Sequence, residues 1–204
     1  MPNMKVLIVS KTHMANAACV GALTSDSYQN IRLLQLGGSN LPIDNNYEVG
    51  SVWDIQFHHR PGVIPPHIED IIVQQSQYLG RVHDIKETLL KKAGIWKGSH
   101  KDLFDGLVRF THNGSGYISE RIGIPSQSVG FWIPNKPLKK FMDGDKIRYQ
   151  FSDENVKIAY VGYAESLDVL PAGSLLRVSL ARWWKPNDGA MEVRCYLQLS
   201  GWYL

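Results

Sequence analysis

Aromatic and cationic side chains gather near the end of this chain, within residues 170–204: Arg177, Arg182 and Trp183 on one stretch, Arg194 and Tyr196 on another. A ring offers a flat face for a planar group, and a guanidinium offers charge with a fork of donors. Interleaved with aliphatics on a curved sheet, they suit a single-stranded nucleic acid, whose bases stack on rings at about 1–3 kcal/mol each while cations hold the phosphates. A barrel core with a solvated outer wall has the same composition, so position must separate the two.

Strand parity makes a first division, because successive side chains point to opposite faces. Along Ser174–Trp184, the set Leu176, Val178, Leu180 and Arg182 reads as the core face until Arg182 breaks it. Leu175, Arg177, Ser179, Ala181 and Trp183 then face outward, with Arg177 and Trp183 as the exposed cation and ring. In the last strand Arg194, Tyr196 and Gln198 read outward against Cys195, Leu197 and Leu199. Trp184, Trp202 and Tyr203 read as packing at a barrel end or between barrels.

Other reactive residue types give weaker patterns. Ser10-Lys11-Thr12 follows an apolar run, and at a strand end it would make Lys11 a candidate phosphate contact. The Gly-rich loop of a P-loop is missing, so nucleotide hydrolysis is not supported. His67, Glu69 and Asp70, after Pro65-Pro66, form the best acidic–imidazole cluster and would suit Mg²⁺ in a metal-dependent nuclease. Against that remote reading, Glu69 and Asp70 are neighbours and diverge on a strand. Cys19 and Cys195 are far apart, no Cys-x₂-Cys exists, and none of the seven His form His-x₃-His. Two lone cysteines read as buried small hydrophobes. No metal and no cofactor are expected.

The elements that must position these residues are mostly strands. Apolar residues at 44% and charged residues at 20% are those of a soluble globular protein with a real core. The run Val6–Val9 is too short for a signal sequence or a membrane span, which gives a cytoplasmic expectation. Residues 1–80 hold four Lys or Arg against six Asp or Glu, and residues 81–204 hold eighteen against thirteen, so the net charge of +3 is concentrated in the second part.

Val52, Asp54 and Gln56 alternate with Trp53, Ile55 and Phe57, a half-buried strand. Five such strands in the first eighty residues suggest a small OB-like barrel. Arg81–Ala93 carries the one long helical pattern, with Val82, Ile85, Leu89 and Ala93 on one side and Lys91 and Lys92 at the C-terminal end, which suits the helix dipole. Short strands resume from Leu107, and Asn113-Gly114 is a hairpin signal. Val49–Ile55 and Ala172–Val178 share a Gly-Ser before an alternating strand, a hint of two barrels of similar plan. The expected organisation is mostly β: a first OB-like barrel over 1–80, a helical connector over 81–106 and a second OB-like barrel over 107–204.

Met4–Thr12, Tyr47–Phe57, Pro65–Asp70, Ser126–Trp132, Val178–Trp184 and Arg194–Leu204 together bring a family into view. The chain resembles, over nearly its full length, the small bacterial dual OB-containing domain proteins linked to prokaryotic conflict (anti-phage) systems. The resemblance implies two OB-like barrels, a nucleic-acid-binding role and work beside other defence proteins, and it assigns no catalytic residue. The reading that follows is a non-enzymatic accessory or sensor subunit that binds nucleic acid, single-stranded by preference, through Arg177, Arg182, Trp183, Arg194, Tyr196 and Lys11. The alternative is an adaptor that docks a helicase or nuclease partner, because interfaces also favour Trp, Tyr and Arg.

Overall fold

The structure is a computed structural model that describes residues 2–186 and 192–204. It divides into two compact units, Met1–Ile64 with Ile68–Ala93, and Pro65–His67 with Gly94–Leu204.

The first unit is a closed barrel of β1 (Asn3–Met14), β2 (Ala17–Thr24), β3 (Asn30–Leu34), β4 (Ser51–His59) and β5 (Asp70–Arg81), in the order β1-β2-β3-β5-β4. One strand, β1, serves two neighbours: Asn3–Leu7 pairs with β4, and Val6–Met14 pairs with β2. The β1–β2 register shifts between Ile8 and Ser10, and such a bulge bends a strand that must turn a barrel corner. β3 runs parallel to β5. Val6, Ile8, Val20, Ala22, Leu33 and Ile55 are fully buried inside it. Full burial of a Val, Leu or Ile contributes about 1.5–3 kcal/mol.

The helix α1 (Ile85–Lys92) closes this unit. It is shorter than its sequence pattern suggests, because Arg81 still pairs with Ser51 as the end of β5. Asp84 caps it by accepting from the Glu87 amide at 2.8 Å, Glu87 and Lys91 pair one turn apart at 2.6 Å, and Leu89 is its buried anchor. No helix among the described residues is long and apolar enough to cross a membrane.

The second unit carries β6 (Ile95–Gly98), β7 (Arg109–Phe110), β8 (Gly116–Ser119), β9 (Val129–Pro134), β10 (Leu138–Asp143), β11 (Lys146–Phe151), β12 (Lys157–Tyr160), β13 (Val169–Leu170), β14 (Leu175–Leu180) and β15 (Arg194–Tyr203). Its main path is β13-β10-β11-β12-β15-β14-β9-β6, with β8 paired to β15 and β7 to β8. β9 pairs with β14 and β10 with β11, and only Asn135, Lys136 and Pro137 separate β9 from β10. Joined end to end, they do what β1 does in the first unit. The order β9/β10, β11, β12, β15, β14 then repeats that of the first barrel, including its parallel pair, here β12 with β15. Pro137 has no N–H for a ladder, which suits the break. Trp132, Tyr149, Ile158, Leu176, Val178 and Leu199 are buried in the core.

The shared Gly-Ser marks equivalent places in the two barrels. Ser51 N–H donates to Glu48 O at 2.9 Å and Ser174 N–H to Pro171 O at 3.2 Å, each closing a four-residue turn into the fourth strand of its barrel. Gly50 and Gly173 occupy the third position at φ +89° and +82°, the left-handed conformation a type II turn needs there. Gly130 is small for another reason. A Cβ there would lie 2.2 Å from the Trp96 ring that covers β9.

Gly173 has open space around it, so Gly173→Ala tests backbone conformation alone. Urea denaturation should show a loss of about 1 kcal/mol, because Ala resists φ > 0. Gly130→Val should lose more, about 1–3 kcal/mol or above, because the Trp96 ring must move. Equal, negligible effects of the two substitutions would contradict both assignments.

Candidate nucleic-acid interface

Directly opposed residues of paired strands share a face. Across β10, β11 and β12 this rule sets Lys139, Gln150 and Lys157 in one row and Phe141, Arg148 and Ala159 in the next. Gln198 of β15 continues from Ala159, and Ser179 of β14 continues from Gln198. Two and four residues back along β15, Tyr196 and Arg194 share the side of Gln198. Tyr196 is opposite Tyr117 of β8, which is opposite Arg109 of β7. One wall of the second unit thus carries Arg109, Tyr117, Arg194, Tyr196, Lys157, Arg148 and Lys139. On the other parity of β15, Cys195, Leu197 and Leu199 are buried.

The aromatic end of this wall is built around Arg194. Its guanidinium lies 4.4 Å from the centre of the Tyr117 ring, and its Nε donates to Glu192 Oε1 at 3.0 Å. Burial pulls its pKa down, but hydrogen bonds to Tyr196 and Glu192 outweigh this and raise it. The cation is therefore held charged over a ring. Tyr117 and Tyr196 have centroids 6.2 Å apart, and Trp184 lies 6.0 Å from Tyr196. Trp184 exchanges both backbone hydrogen bonds with Arg194, which fixes its backbone beside β15 while 52% of the residue stays exposed.

At the other end, Asp143 Oδ2 accepts from Arg148 Nε at 2.7 Å and from Lys157 Nζ at 3.0 Å. Hydrogen bonds from Lys157 and then Arg148 hold its carboxyl below the usual range. β10 carries part of this wall, yet its Leu-Lys-Lys-Phe-Met-Asp breaks the alternation that makes a strand legible. Lys139 escapes sequence reading for that reason, whereas Arg148 and Lys157 lie on legible strands, and what escapes is the register that brings them together. The one available signal was the basic excess after residue 81.

The residues expected to bind divide. Arg194 and Tyr196 lie on the wall. Arg177 does not offer its charge outward: it is 2% exposed, with its guanidinium 5.0 Å from the centre of the Phe131 ring. The physical reason is that side chains cover the outward face of β14 at this point: Phe131, opposite Arg177 on β9, lies against the guanidinium, with the Tyr203 ring 6.0 Å from Phe131. Trp183 and Trp184 exchange the expected parts. The Trp183 indole N–H donates to Pro65 O at 2.7 Å and its ring packs on the core, whereas Trp184 is the exposed ring. β14 ends at Leu180, so strand parity does not extend to them. Arg182 is half-buried in the segment that follows. Lys11 lies inside β1 rather than after it, and its Nζ is 3.0 Å from both Asn45 O and Glu48 Oε1. It serves the first barrel's own loop.

The His67–Asp70 cluster is also put to other use. Asp70 is buried and paired with Arg32, whose Nε donates at 2.6 Å, and with Arg60 Nη1 at 3.1 Å. His67 Nε2 lies 3.1 Å from Leu180 O. Among the described residues, no group of three or more His, Cys, Asp or Glu is placed to hold a metal ion. Cys195 is buried, which pushes its thiol up to about 12 and leaves it protonated near neutrality. Asp70→Ala should therefore act on the fold. It leaves the Arg32 charge buried without its counter-ion, at a cost of about 3–5 kcal/mol in urea denaturation. A variant of unchanged stability would show that the carboxylate is held for another purpose.

Comparison with known proteins adds the family. A search of curated protein sequences found no match. Among solved structures, a murine DNA-binding protein bound to double-stranded DNA is 10% identical at a TM-score of 0.35, covering 98% of this chain and 91% of that one. The Ifi202 HINa domain in complex with a 20-bp duplex is 10% identical at 0.35, covering 100% and 97%. The p204 HINb domain is 11% identical at 0.34, covering 96% and 95%. Likenesses at these scores carry no argument about ligand. The family model described as the dual OB-containing domain matches residues 4–202, nearly the whole chain with both barrels, and the chain belongs to that family.

Proposed function

We propose that this protein binds nucleic acid without catalysis through the outer wall of its second unit. The observation that carries the reading is the register: Lys139, Arg148 and Lys157 share one sheet face with Arg194, Tyr196 and Tyr117, and Trp184 borders it. OB-type barrels take oligonucleotides on the face of their second and third strands, which here are β11 and β12. The reading favours single strands, because half-exposed rings stack unpaired bases, and a duplex keeps its base faces to itself. Work as an accessory or sensor subunit beside other proteins of a prokaryotic defence system belongs to the same proposal, and its support is the family resemblance. The competing reading is a protein-docking wall, since Trp184, Tyr196 and Arg194 are also interface residue types.

Salt separates the two. A fluorescein-labelled oligothymidylate should bind with an affinity that falls steeply with salt, by about 0.7 in log K per log unit of salt for each phosphate neutralised. Tyr196→Ala and Trp184→Ala should each weaken binding by about 5- to 150-fold, as expected for the loss of about 1–3 kcal/mol of stacking. No salt-sensitive binding at micromolar protein would end the nucleic-acid reading in favour of the docking wall.

A further inference from the structure

We propose that Arg148 and Lys157 form a backbone-phosphate site, and that Asp143 is its built-in competitor. The inference rests on the nucleic-acid reading and adds to it the device that sets the site's threshold. A single oxygen, Asp143 Oδ2, takes both cations, from two neighbouring strands. This is the placement a non-bridging phosphate oxygen would take between a guanidinium and an ammonium. Arg148 and Lys157 are based on adjacent strands, and each side chain is 19% exposed. Asp143 is 39% exposed and ends β10 at the turn through Gly144 and Asp145. The carboxylate therefore stands at the solvent side of the cations it neutralises.

An ion pair this exposed does little for the fold, since such pairs contribute about 0–1 kcal/mol. Its effect on ligands is larger. A phosphate that takes both cations must displace a carboxylate already in place, and cations paired internally hold fewer counter-ions for a polyanion to release. A lone anion gains too little from the exchange. A chain of phosphates anchored nearby by stacked bases supplies the next charge at high local concentration. The site thus selects polymers over single phosphates.

The test is fluorescence anisotropy on the full chain with a labelled oligothymidylate of about 15 nucleotides, titrated from about 50 to 300 mM NaCl. Asp143→Asn should tighten binding about tenfold at the low-salt end and steepen the log K against log salt slope by about 1.4, which is two cations at 0.7 each. Asp143→Asn combined with Lys157→Gln should lose about half of that added slope. Asp168→Asn is the control. It makes the same charge change by freeing Lys140, 2.6 Å away, on the opposite parity of β10 from Lys139, and should leave the slope unchanged. If the wild type binds and responds to Tyr196→Ala but Asp143→Asn leaves affinity and slope unchanged, the competitor role is overturned and the nucleic-acid reading stands. If Asp168→Asn matches Asp143→Asn, the gain is net charge and the role is again overturned. If no variant binds, the nucleic-acid reading fails and takes the site with it.

Discussion

A five-stranded barrel can close only if its first strand pairs with two partners, and the rest of the structure depends on how that strand is bent. In the first unit a single-residue bulge in β1 is enough. In the second, the strand is split by Asn135–Pro137 into β9 and β10, which are free to take different directions. The two-residue turn through Gly144 and Asp145 then sets the register of β10 against β11, and with it the row that Lys139, Phe141 and Asp143 join. These three owe their place on the wall to that turn and to strand parity, not to any property of their own.

The two barrels share a plan and use the matching wall in opposite ways. In the first unit, Ser10, Gly21, Arg32 and Asp70 lie in one row across β1, β2, β3 and β5, and all are buried. The buried Arg32 guanidinium and the more exposed Arg60 converge there on one buried carboxylate, and desolvation makes the Arg32–Asp70 pairing obligatory. In the second unit, a guanidinium and an ammonium converge on one carboxylate at the surface, where the pairing is exchangeable. The same chemical motif is structural in one barrel and available in the other, and the difference lies in burial alone.

Strand content, the parity of β15 and the twin turns before β4 and β14 were legible in the sequence. Each depends on local rules: alternation, and a glycine that must adopt positive φ. What was not legible depended on neighbours. Arg177 has outward parity, yet the Phe131 ring of β9 lies against it, and no local pattern reports such a cover. Trp183 and Trp184 follow the last residue of β14, so alternation had already lapsed when it was used to assign them. β10 is illegible because Lys139-Lys140 breaks its pattern, and the strands of Arg148 and Lys157, legible in themselves, carry no sign of the neighbour that joins them into one wall. A closed barrel is written into local alternation, and the face it turns outward is not.

The turns at Gly50 and Gly173 add no side chain to the charged wall, and that division of labour bears on how such a protein can change. Closure rests on two glycines, a bulge and a proline-containing break, none of which contributes a side chain to the wall. Substitutions at Lys139, Asp143, Gln150 or Tyr196 alter charge, stacking or donors while the frame stays intact. A lineage carrying this chain can therefore shift what it recognises in small, separately tolerated steps. The positions least open to change are those with the least side chain.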